Sequence, residues 1–133
     1  MQTLQKWALF SLLILGIWGC HCDDEVADPM HGRYTGMFTV TYGSGSQSGE
    51  VILNLYAGRY TCFGNSNRIP AGGRGTYTLD EHTITFFDEN VWTADFDWNL
   101  ILNGEYEYTF DGQKLTLWAD KNDVGHYRYE LEK

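Results

Sequence analysis

From Gly32 to Lys133 the chain alternates apolar and polar residues with period two, and that pattern most restricts what it can become. Successive side chains of a strand point to opposite faces, so the alternation marks ribbons with one buried and one wetted side. Tyr34, Gly36, Phe38, Val40 and Tyr42 alternate with Arg33, Thr35, Met37, Thr39 and Thr41. Val51, Leu53 and Leu55 form a second run, and Tyr60 with Cys62 a third. Gly75, Tyr77 and Leu79 give the fourth, Ile84 and Phe86 the fifth. Leu100, Leu102, Gly104, Tyr106, Tyr108 and Phe110 read as one face of a long sixth strand. Leu115, Leu117 and Ala119 mark its partner, and Tyr127, Tyr129 and Leu131 the last. No stretch carries a helical period. Links such as Ala57-Gly58, Asp80-Glu81-His82 and Asp111-Gly112 are short, the last a type I′ hairpin signal. The expectation is an all-β fold, an antiparallel up-and-down β-barrel of about eight strands, because closure removes the unpaired edges of a meander. A β-sandwich is the alternative.

Links in a meander alternate between two ends, and here their lengths segregate. Gly43 to Gly49, Gly64 to Gly73, Asp88 to Trp98 and Asp120 to Val124 read as long and share one end, while the intervening links are tight turns. Function on a rigid scaffold concentrates in such loops. The connection Asn90 to Trp98 packs Trp92, Phe96 and Trp98 together with Asp95 and Asp97, and Asn65, Asn67, Arg68 and Arg74 are expected on a neighbouring loop. Aromatic area beside Asp, Asn and Arg suits a sugar or another amphipathic small molecule. The candidate binding residues are therefore Asn65, Arg68, Arg74, Trp92, Asp95, Phe96 and Trp98. The competing expectation is that the three aromatics fold over the barrel and plug it.

The opening Gly32-Arg33-Tyr34-Thr35-Gly36 is similar to the glycine-plus-aromatic start of the first strand in the lipocalin and calycin group, although tryptophan usually stands where Tyr34 is. In architecture the stretch Gly32 to Lys133 resembles the small lipocalin-like lipoproteins of Bacteroidota. That resemblance implies a barrel either filled by its own side chains or holding one small ligand.

The N-terminus reads as an export signal. Lys6 precedes an apolar run from Trp7 to Trp18, too short for the roughly 20 residues of a spanning helix, and the run closes on Gly19-Cys20. Ile17-Trp18-Gly19-Cys20 resembles a bacterial lipobox, which implies cleavage before Cys20 and lipid on that residue; Trp18 departs from the small residue usual there. The expected organisation is a signal peptide over 1–19, a lipidated acidic tether over 20–31 and a barrel domain over 32–133. Asp23-Asp24-Glu25 directly after Cys20 is also similar to the signal that routes Bacteroidota lipoproteins to the outer face of the outer membrane, and an acidic tether that simply stays solvated explains the same run. The expected location is the outer membrane, on its periplasmic or cell-surface face. With Cys20 acylated, Cys22 and Cys62 remain; a disulfide between them is permitted in an oxidising compartment, and a buried free thiol at Cys62 is the other reading.

The formal charge of −9, with all 18 acidic residues beyond Cys20, argues against a nucleic-acid partner. Asp120-Lys121-Asn122-Asp123-Val124-Gly125 starts like a calcium loop, but Val124 and Leu131 stand where oxygen ligands are needed. His21, His31, His82 and His126 lack zinc-site spacing, so neither metal nor cofactor is expected. The pairs Asp95–Asp97 and Glu105–Glu107 each share one stretch and flank no recognisable cleft, and no nucleophile elbow is present. The reading is a non-enzymatic, lipid-anchored envelope protein that binds a small amphipathic or carbohydrate ligand at its loop end. Alternatives are a module that docks an envelope protein or inhibits a hydrolase, and a structural lipoprotein without ligand.

Overall fold

A computed structural model describes residues 29–121 and 123–133. Eight strands follow in chain order: β1 (Gly32–Tyr42), β2 (Gly45–Tyr56), β3 (Arg59–Phe63), β4 (Gly72–Leu79), β5 (Thr83–Asp88), β6 (Gly104–Phe110), β7 (Lys114–Lys121) and β8 (Gly125–Glu132). Each pairs antiparallel with its sequence neighbours, and β1 pairs with β8, so the sheet closes as an up-and-down barrel. No α-helix occurs among the described residues; a 3₁₀ turn, Trp98–Leu100, lies between β5 and β6. The signal, the lipidation of Cys20 and the tether up to residue 28 lie outside the described residues.

Alternation assigns the two faces. Tyr34, Phe38, Val40, Val51, Leu53, Leu55, Tyr60, Cys62, Ile84, Phe86, Tyr106, Leu115, Leu117, Tyr127, Tyr129 and Leu131 are all buried and fill the bore. Aromatic rings interlock down the axis: Phe38 sits 4.7 Å from Tyr129, Tyr60 4.8 Å from Phe86, and Tyr106 5.8 Å from Tyr129, each angled edge or tilt-wise as ring quadrupoles favour. Two inward positions are glycine because the neighbouring strand lies too close for a side chain. A Cβ on Gly36 would stand 2.0 Å from the Glu130 carbonyl oxygen, and one on Gly75 1.9 Å from that of Phe87. Such inward glycines let a small barrel bend tightly. At the end where the chain enters, Met30 is buried and its carbonyl accepts a 2.7 Å bond from the Tyr34 hydroxyl, capping the bore.

Three expectations about the links are corrected. Gly43 to Gly49 is no loop: Tyr42 pairs with Gly45, so Gly43-Ser44 is a two-residue turn and Gly45 to Gly49 continues β2. Small polar residues are compatible with a ribbon projecting past the core, and the Thr39 and Ser48 hydroxyls bond across it at 3.0 Å. Asp120 and Lys121 belong to β7, Lys121 pairs with Gly125, and the seventh link is a hairpin turn in which Val124 donates to the Lys121 carbonyl. The sixth strand begins at Gly104, not Leu100. Leu100, Ile101 and Leu102 are consecutive and all buried, which no strand in a barrel wall allows; the segment crosses the barrel mouth instead. Long connections therefore remain only over 64–71 and 89–103, both at the same end.

Candidate functional site at the loop end

The 89–103 connection is fastened to the barrel by Asp97. Its carboxylate accepts from the Tyr127 hydroxyl at 2.7 Å and the Tyr42 hydroxyl at 2.9 Å, and its other oxygen accepts the Asn99 N–H at 2.9 Å, capping the 3₁₀ turn. Partial burial works to raise this carboxyl, but the bonds from Tyr127, Asn99 and Tyr42 outweigh it and hold its pKa below the usual value. Beyond the turn the chain runs beside the start of β4. Ala71 donates to the Leu100 carbonyl, Leu102 to that of Gly72, and the buried Tyr60 hydroxyl to that of Leu102 at 2.6 Å.

The 64–71 connection is held largely by one side chain. Asn65 accepts the N–H groups of Asn67 and Ile69 and donates to the Ile69 carbonyl at 2.6 Å. Asn65 therefore shapes its loop, and it does not line the cleft that holds Trp92 and Trp98. Arg68 reaches across to Asp95 at 3.2 Å and to the Thr93 hydroxyl at 3.3 Å, with its guanidinium 4.4 Å from the centre of the Phe96 ring. The Thr93 hydroxyl, then the backbone and Arg68, hold Asp95 below its ordinary pKa. Phe96 is half-buried, packs on the core and meets Trp92 edge-on at 5.9 Å. Arg68, Asp95 and Phe96 thus join the two loops, and none of them lines the cleft that holds Trp92 and Trp98. Arg74 lies on β4, not on a loop, and its side chain is exposed on the outer wall.

Trp92 and Trp98 behave differently. Trp92 donates its indole N–H to Asp88 at 2.6 Å, and Trp98 donates its own to the Thr93 carbonyl at 2.7 Å. Both then line a cleft of about 570 Å³ between the limbs of the 89–103 connection and the upper ends of β5, β6 and β7. Asp88, Asn90, Asn99, Asn103 and Lys121 supply its polar edge, Val91 and Ile101 further apolar surface. Trp98 is 54% exposed and Val91 97%, so this apolar lining is open to solvent. The cleft is separate from the filled bore. Its size falls in the range of about 300–1,000 Å³ typical of small-molecule sites.

Sequence reasoning missed Asn99, Asn103 and Lys121, because their arrival at one rim depends on the closure of β5, β6 and β7. Among the described residues no cluster of His, Cys, Asp and Glu could hold a metal, and the carboxylates of Asp95 and Asp97 are separately engaged. Cys62 is a buried free thiol whose pKa burial pushes up to about 12; Cys22, its suggested disulfide partner, lies outside the described residues. Comparison with protein-family models, curated proteins and solved structures yields no match for the chain.

Proposed function

We propose that the loop-end cleft binds a small amphipathic ligand, foremost a carbohydrate, and that the chain is a non-enzymatic binding protein anchored in the cell envelope through lipid on Cys20. One observation carries the reading: two tryptophans line a concave cleft whose remaining edge is rich in amide side chains. Sugars present apolar ring faces and directional hydroxyls, and this lining complements both. Concavity favours a small ligand over a flat protein-docking patch. A purely structural role would bury both indoles, whereas Trp98 is more than half exposed. The cleft also lies at the end opposite Gly32, so a tether leaving β1 would present it away from the membrane.

Residues 29–133 contain all eight described strands and the described core, and suit a fluorescence titration against glycans and fatty acids. The expected result is a saturable change in tryptophan emission with a glycan, lost in Trp98→Ala and weakened in Trp92→Ala. A folded protein that responds to nothing in the panel refutes the proposal.

A further inference from the structure

Lys121 is a cation without an ion-pair partner among the described residues; the Asp97 carboxylate acts on it only from a distance. It ends β7 at the cleft rim, partly buried, with Nζ 4.8 Å from the centre of the buried Tyr106 ring and one bond of 3.1 Å to the Asn103 carbonyl. No carboxylate among the described residues forms an ion pair with it, although the chain carries 18 acidic residues against nine basic ones. The other cations near the cleft are occupied or turned away: Arg68 by Asp95 and Phe96, and Arg74 on the outer wall; Arg59, which opens β3, pairs with Glu89 at 3.1 Å. Asp88, the carboxylate that lines the same cleft, already accepts the Arg74 N–H at 3.0 Å on one oxygen and the Trp92 indole at 2.6 Å on the other. An ammonium has three donors and Asn103 takes one, so the remainder are available to an incoming acceptor.

We infer that the cleft selects acidic sugars, with Lys121 receiving a single ligand carboxylate while Trp92 and Trp98 take the apolar ring face and Asn90, Asn99 and Asn103 the hydroxyls. The inference rests on the carbohydrate reading of the same cleft and adds the charge of the ligand. A charge-assisted bond in a partly desolvated cleft is stronger than a neutral one, whereas a neutral sugar leaves the ammonium without a directly paired carboxylate. Burial lowers the pKa of Lys121 by more than the distant Asp97 carboxylate raises it, so a carboxylate in direct contact would favour the charged ammonium.

The test compares cellobiose with cellobiouronate, which differ by one carboxylate in place of a CH₂OH, by calorimetry on the full chain in mild detergent at 0.15 M salt. Cellobiouronate is expected to bind about tenfold more tightly. That ratio should fall to about one in Lys121→Met, whose stem still covers Tyr106, and return in Lys121→Arg; thermal melting of each variant establishes that it is folded. Equal binding of the two sugars by the unaltered chain, with both lost in Trp98→Ala, overturns the acidic selectivity and leaves the sugar site standing. A ratio that survives Lys121→Met overturns the assignment to Lys121. Binding of neither sugar by the folded chain overturns both this inference and the reading beneath it.

Discussion

Replacing Asp97 by alanine should release the 89–103 connection from the barrel, and the cost follows from its bonds. The carboxylate accepts from Tyr127, Tyr42 and Asn99. At a net value of about 1 kcal/mol each for a partly buried group, the loss is about 3 kcal/mol. A domain of this size moves by roughly 4 °C per kcal/mol, so the melting temperature should drop by about 12 °C at pH 7. Asp97→Asn keeps an acceptor and the shape, and should fall by about half as much.

The pH dependence has a definite sign. Because the folded pKa of Asp97 lies below its unfolded value of about 3.9, its contribution is complete above that value and fades as pH falls through the folded one. Tyr42 sets the alkaline flank: burial, then the hydrogen bond to Asp97, raises it to about 12. Its neutral hydroxyl therefore stabilises the fold fully below about pH 10, and that contribution disappears as pH rises through 12. Scanning calorimetry of both proteins should show a gap that is flat from about pH 4 to 10 and narrows on either side. A gap under 3 °C at pH 7, or one that widens on acidification, would show that Asp97 does not fasten the loop.

Two further substitutions or treatments probe the wall and the core. Gly36→Ala forces a Cβ against the Glu130 carbonyl at the β1–β8 seam, and should cost more than about 3 kcal/mol in urea titration; an unchanged midpoint would mean the seam yields freely. The Cys62 thiol, pushed to about 12 by burial, should resist iodoacetamide at pH 8 in the native state and react on unfolding, and peptide mass mapping that finds rapid native alkylation at Cys62 contradicts its placement.

The barrel was legible because its physics is local: each strand alternates on its own, and the inward residues of β1, β2, β7 and β8 are the ones alternation marks. Reading failed where two causes give one pattern. Leu100 and Leu102 continue the alternation of β6, yet they are apolar because they cover the barrel mouth, and buried Ile101 between them breaks the two-sided rule. Gly43 to Gly49 looked like a loop because its small polar residues report exposure and say nothing about pairing. At the site, Trp92 and Trp98 stood out as clustered aromatics beside polar residues. Arg68, Asp95 and Phe96 stood out equally, but what they contact is each other, a distinction set by the packing of two loops far apart in sequence. Lys121 was visible within a failed metal motif, and its place in the cleft follows from β7 ending beside β6.

The projecting tip of the β1–β2 ribbon has a practical consequence. None of the residues from Gly43 to Gly49 is buried, and β3 starts pairing with β2 only at Ile52, so the outer flank of that tip has no strand beside it. Serine, glutamine and glycine there make the bare flank a poor template for another chain. The same bareness makes Gly43-Ser44 a splice point: a peptide tag or a fluorophore inserted there touches no core side chain, yet emerges at the same pole of the molecule as Trp98.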